Sequence, residues 1–145
     1  MKKFEDLMSV KGEIENISSG SGNDILMGNF LPNFISGGGG DDELEGWEGN
    51  DVLVGGSGKD TFFFAQGWGI DVIQDFKDGT DLIGMAGGLQ YDDLTIEQGT
   101  GNYSDLILVS ITSSGEYLAV IHTQGQNGAG TITSSNIDSD DFTAL

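Results

Sequence analysis

Residues 19–63 divide without a gap into five nine-residue units: SGSGNDILM, GNFLPNFIS, GGGGDDELE, GWEGNDVLV and GGSGKDTFF. Position six of each is acidic or an amide (Asp24, Asn33, Asp42, Asp51, Asp60), and position eight is large and apolar (Leu26, Ile35, Leu44, Leu53, Phe62). That register leaves few folds open. Turn-forming residues alternate with a short strand whose middle side chain points away from its flanks. One unit cannot bury its single apolar side chain, so neighbours must stack. Two units make one coil of a flattened right-handed helix, with turns alternating between its two edges. The first, third and fifth turns then lie above one another, which stacks Asp24, Asp42 and Asp60.

The donors on those edges are all oxygen. Gly20, Gly22, Gly38, Gly40, Gly49, Gly56 and Gly58, at positions two and four, accept positive φ and carry no Cβ, so backbone carbonyls can turn toward a common centre. Carboxylates with carbonyls make a hard site that suits calcium. Zinc and copper call for His or Cys, and the chain has one His and no Cys. Coils lie about 4.8 Å apart. Carboxylates at that spacing repel by roughly 3 kcal/mol per pair at an effective dielectric near 20, and a divalent cation between them turns repulsion into a bridge.

These units resemble the repeats-in-toxin nonapeptide GGxGxDxUx, where U is a large apolar residue. Units three and five fit fully, Ser19 replaces the first Gly of unit one, and Trp47 stands at the second position of unit four. Unit two departs, with Leu31 for Gly and Asn33 for Asp. It is similar to a family variant in which the Asn bonds backbone and holds no metal. The resemblance spans residues 12–84 and implies an all-β, right-handed parallel β-roll that binds calcium. The run DVIQDF resembles the family's DxIxDF, whose acids help close the last sites; this carries that role to Asp71 and Asp75.

Either side of the five units the pattern wears. VKGEIENIS reads as a degenerate unit with Glu15 at position six and Ile17 at position eight, and a short amphipathic helix through Phe4 to Met8 is an equal alternative. Past Phe64 and Ala65, QGWGIDVIQ restores Gly67, Gly69, Asp71 and Ile73, and after a one-residue slip FKDGTDLIG places Gly79, Asp81 and Ile83. Asp51 is then expected over Asp71 on the second edge, and Asp60 over Asp81 on the first. Segments 94–98, 104–112 and 115–123 read as longer antiparallel strands, and 124–140 as mobile loop. The tail resembles the C-terminal cap of cyanobacterial-type haemolysin-like proteins. Three regions follow: 1–18 an N-terminal cap or degenerate repeat, 19–84 the roll, and 85–145 a C-terminal antiparallel β cap. Phe34, Val52, Val54 and Val72 form an apolar outward face, expected to be covered by the tail strands or by a second copy in a homodimer.

Five basic against 24 acidic residues give a net charge of −19, which excludes nucleic acid and anionic membranes as partners. No apolar run is long enough to span a bilayer, and the opening MKKFEDLMSV lacks the apolar core of a cleavable signal. The carboxylates sit in repeated turns rather than a cleft, no HExxH occurs, and His122 lies in a strand, so the chain is expected to be non-enzymatic. Trp47 and Trp68 fall at equivalent edges, where packing outweighs a binding patch. The expected function is a calcium-binding domain that folds on the ion, in an extracellular protein exported without a cleavable N-terminal signal. The alternatives are a calcium-dependent adhesion or self-assembly module, and the C-terminal fragment of a larger secreted enzyme.

Overall fold

The computed structural model describes residues 15–122 and 133–144. Its strands follow the nine-residue register: β1 (Glu15–Ser18), β2 (Ile25–Met27), β3 (Asn33–Gly39), β4 (Glu43–Glu45), β5 (Val52–Ser57), β6 (Thr61–Phe64), β7 (Asp71–Ile73) and β8 (Leu82–Met85). The tail adds β9 (Leu94–Gln98), β10 (Leu106–Ile111), β11 (Tyr117–His122) and β12 (Phe142–Ala144). Strands β1, β3, β5 and β7 pair in parallel in one sheet, and β2, β4, β6 and β8 in the other. The molecule is an all-β parallel roll.

Position eight builds the core. Ile17, Ile35, Leu53 and Ile73 lie in register on one sheet, facing Leu26, Leu44, Phe62 and Ile83 on the other. Ile35, Leu44, Leu53, Phe62 and Ile73 are wholly buried. Burying one such side chain stabilises by about 1.5–3 kcal/mol, and only a stacked neighbour can provide the burial. Glu15 and Ile17 pair with Asn33 and Ile35, so the degenerate first unit keeps the phase inferred for it. The helix considered for Phe4–Met8 lies outside the described residues.

The two residues that break the period thicken the core. Phe64 extends β6 opposite Met85, and both are buried together with Ala65. Phe76, from the DVIQDF run, is fully buried with its ring 6.3 Å from that of Phe62. Phe63 points outward by alternation yet is buried, because its ring lies over Gly84, where a Cβ would come within 2.2 Å of it.

The tail strands are antiparallel as expected, but they do not cover the Phe34 and Val54 face. β11 pairs in parallel with β7, Val120 beside Val72, and the sheet runs β1-β3-β5-β7-β11-β10-β9. The last coil exposes a row of unpaired backbone groups on β7, and a strand added edge-on satisfies them, which a strand laid on the face cannot do. β12 does the same for β8, with Phe142 beside Ile83, and has no counterpart in the expectations above. Of the expected loop, 124–132 lies outside the described residues. Residues 133–140 contain no strand but are anchored, with Ile137 buried and Asp138 and Asp141 capping each other around the short 3-10 turn Ser139–Asp141.

Candidate metal centre

Position six brings the acids together in two ladders, one along each edge of the roll. On the first, the Asp24 N–H donates to Asp42 Oδ1 at 2.9 Å, Asp42 N–H to Asp60 Oδ1 at 3.0 Å, and Asp60 N–H to Asp81 Oδ1 at 3.0 Å. On the second, Asn33 N–H donates to Asp51 Oδ1 at 2.7 Å and Asp51 N–H to Asp71 Oδ1 at 3.0 Å. Asp42, Asp60, Asp81, Asp51 and Asp71 thus each spend one oxygen tying their coil to the one before, and the stacking inferred from the period, including both slips, is what the structure shows.

The second oxygen is the unusual one. Asp42, Asp51 and Asp60 are at most 1% exposed, and the Oδ2 of each is buried with no hydrogen-bond partner. A buried anionic oxygen without a donor is strongly disfavoured. Burial pushes the carboxyls of Asp51 and Asp60 up to about 6 and that of Asp71 up to about 8, and raises Asp81 as well. The negative charges of Asp81, Asp42 and Asp75 add to the rise at Asp60, and that of Asp51 to the rise at Asp71. Buried oxygens of like charge in register are a donor set suited to a cation.

The glycine at position one of the turn makes the room. A Cβ on Gly37, Gly46 or Gly55 would fall 2.4, 2.2 or 2.3 Å from the Oδ2 of Asp42, Asp51 or Asp60 respectively. The sequence reading weighted positions two and four and missed these three, although Gly recurs at position one in units two to five. Positions two and four act between coils: Gly56 has φ 98°, and a Cβ there would lie 2.0 Å from the Gly38 carbonyl oxygen. Gly22, Gly38, Gly40, Gly49 and Gly58 also have positive φ, whereas Gly20 does not.

Three residues depart from the ladder scheme. Asn33 Oδ1 accepts from Asn29 N–H at 2.9 Å, so its side chain braces its own turn. Asp75 accepts from Gly55 N–H at 2.9 Å and Gly56 N–H at 2.8 Å, one with each oxygen, which fixes the turn that supports Asp60. Asp24, at the open end of the first ladder, is only half-buried. A further ladder at position five escaped the sequence reading: Asp41 N–H donates to Asn23 Oδ1 and Lys59 N–H to Asp41 Oδ1, at 2.9 and 2.8 Å. Among the described residues no three His, Cys, Asp or Glu side chains converge on one point. Any ion on either edge would have to draw part of its shell from backbone carbonyls and water, as a calcium site of mixed oxygen donors allows.

Residues 16–31 and 27–62 match the family model described as RTX calcium-binding nonapeptide repeat (4 copies). Among solved structures it is similar to the solution structure of the AlgE6R3 subunit from the Azotobacter vinelandii mannuronan C5-epimerase, at 22% identity and TM-score 0.34 over 85% of this chain and 78% of that one. It is similar also to the AlgE6R2 subunit of the same enzyme, at 22% identity and TM-score 0.34 over 88% of this chain and 91% of that one. No curated protein matches.

Proposed function

We propose that the RTX calcium-binding repeats of this chain hold calcium along both edges of the roll and that the ions drive its folding. The observation that carries this reading is the set of partnerless, buried Oδ2 atoms of Asp42, Asp51 and Asp60. Asp24, Asp42, Asp60 and Asp81 would hold ions on the first edge and Asp51 and Asp71 on the second. Carbonyls of the glycine turns through Gly20, Gly22, Gly38, Gly40, Gly49, Gly56 and Gly58 would complete the shells, with Asp75 orienting the Gly55–Gly56 amides. Calcium supplies the positive charge that a chain of net charge −19 lacks. Such a chain stays unfolded where calcium is scarce and folds where it is plentiful, which suits an exported, extracellular, non-catalytic module. Calorimetric titration with calcium beside circular dichroism tests it: strand signal gained in step with ion uptake supports the reading, and a fully formed roll in excess chelator refutes it.

A second reading keeps the ions and adds self-assembly. Phe34, Val52, Val72, Val120 and Leu108 lie in register across five strands on the outer face of one sheet, and all are only half-buried. Calcium-dependent dimers in sedimentation would support it, and a calcium-loaded monomer at high concentration would remove it.

A further inference from the structure

Trp47 stands where units one, three and five place glycine, and its φ of 69° makes it the one non-glycine residue with positive φ among the described residues. A side chain with a Cβ is strained there, and strain of this kind persists where the surroundings enforce it. Here the strained backbone holds the indole out, 42% exposed. The ring stacks on Trp68 of the next coil, centroids 5.6 Å apart and 9° from parallel, and its Nε1–H donates to Glu45 Oε2 at 3.1 Å. The indole is therefore fixed before any ligand arrives.

Beside it opens a cleft of about 430 Å³ lined by Met27, Gly28, Asn29, Phe30, Trp47 and Glu48. Phe30 and Met27 are 52% and 47% exposed. The cleft lies between the turns of units two and four; Asn33 of the first turn binds backbone, and Asp51 of the second is 1% exposed and is not among the walls, so no ladder carboxylate is presented to the cleft. Among the described residues its walls are two aromatic rings, a thioether and one carboxylate, with no Lys or Arg. An anion is repelled by Glu48 and by the net charge of −19. A neutral apolar group gains nothing from the carboxylate. A bulky, weakly hydrated organic cation suits every wall: Trp47 and Phe30 can attract it by cation–π interaction and Glu48 by its charge.

We propose that this cleft is a binding site for a small alkylated ammonium cation, preorganised by the Trp47–Trp68 stack and lying beside the second ladder without using its carboxylates. The probe is choline, titrated into the calcium-loaded chain while tryptophan fluorescence is followed. Its neutral isostere, 3,3-dimethylbutan-1-ol, and sodium chloride serve as controls. A saturable change with choline, about tenfold weaker or absent with the isostere, supports the site. Trp47→Gly restores the residue that this backbone conformation favours, so the fold is retained, as dichroism will check, while the choline response of Trp68 is lost. Glu48→Gln leaves the apolar walls and weakens choline alone. Equal binding of the isostere, an unchanged response in Trp47→Gly, or a response only to a neutral oligosaccharide such as maltohexaose would each overturn the proposal.

Discussion

Asp42 gives its two oxygens different work, and substitution separates them. Oδ1 accepts the Asp24 amide, whereas the partnerless Oδ2 is the oxygen left for an ion. Asp42→Asn keeps an acceptor and removes the charge, so calcium affinity is expected to fall about tenfold or more. Asp42→Ala loses the inter-coil bond as well, and thermal melts in calcium should show about 1 kcal/mol of further destabilisation. Undiminished calorimetric uptake in both variants would remove Asp42 from the ligand set. Titration gives an independent check. In the ion-free fold Asp51 and Asp60 are raised from 3.8 to about 6 and Asp71 from 3.8 to about 8, chiefly by burial. A carboxyl raised on folding favours the fold while protonated. Its contribution is complete below the unfolded value of 3.8 and is lost as pH climbs through about 6 and then about 8. Without ions the roll should therefore weaken from acid toward pH 8. Calcium that binds the already folded roll selects the ionised form, so its affinity for that state should rise over the same interval, with protons released at pH 7. A pH-independent calcium midpoint between 6 and 8 would contradict this.

Among the elements, the turns carry a steric demand as strict as the strands' apolar one. Gly55 has an ordinary φ, and its need is space: an added Cβ would lie 2.3 Å from Asp60 Oδ2 and 2.7 Å from Asp60 Cγ. Gly55→Ala must displace that carboxylate, at a cost of about 1–3 kcal/mol, and should weaken calcium uptake although no ligand is removed. Normal uptake in that variant would show that the turn has slack. The same turns explain what could be read beforehand. A nine-residue period reports strand, turn and stacking at once, because each repeats at a fixed offset, so the roll, both ladders and the place of Asp81 followed from it. The use of Phe64 and Phe76 as extra core did not, since a break in period says that the chain deviates without saying what fills the gap. Nor did the docking of β11 on β7 or of β12 on β8, because which edge a strand joins depends on an unpaired neighbour far away in sequence. Position-one glycines went unweighted because their role is only to leave room for the acid five residues on.

At the scale of the whole molecule the two ends of the roll differ, which predicts the order in which it opens. Among the described residues the first coil has a thin cover, with Ile25 69% exposed, Met27 47% exposed and Leu26 only partly buried. The last coil is packed between Phe62, Phe76 and Met85 on one side and the β9–β11 extension on the other, with Ile107, Val109 and Ile121 nearly or wholly buried. Local opening free energies follow buried apolar contact, so the first coil lies at the low end of the range. Ion linkage sharpens the contrast, because calcium at a hundred times its dissociation constant adds about 2.7 kcal/mol per independent site to whatever it binds. Lowering free calcium in steps should therefore release amide protection first in β1 and β2 and last in β7, β8 and β11, with the tail strands retaining protection after the first coil has lost its ions. Hydrogen exchange followed by mass spectrometry at a series of buffered calcium concentrations reads this directly. Simultaneous loss of protection at both ends would mean that the roll and its tail melt as one cooperative unit, with ions at one edge stabilising the whole chain.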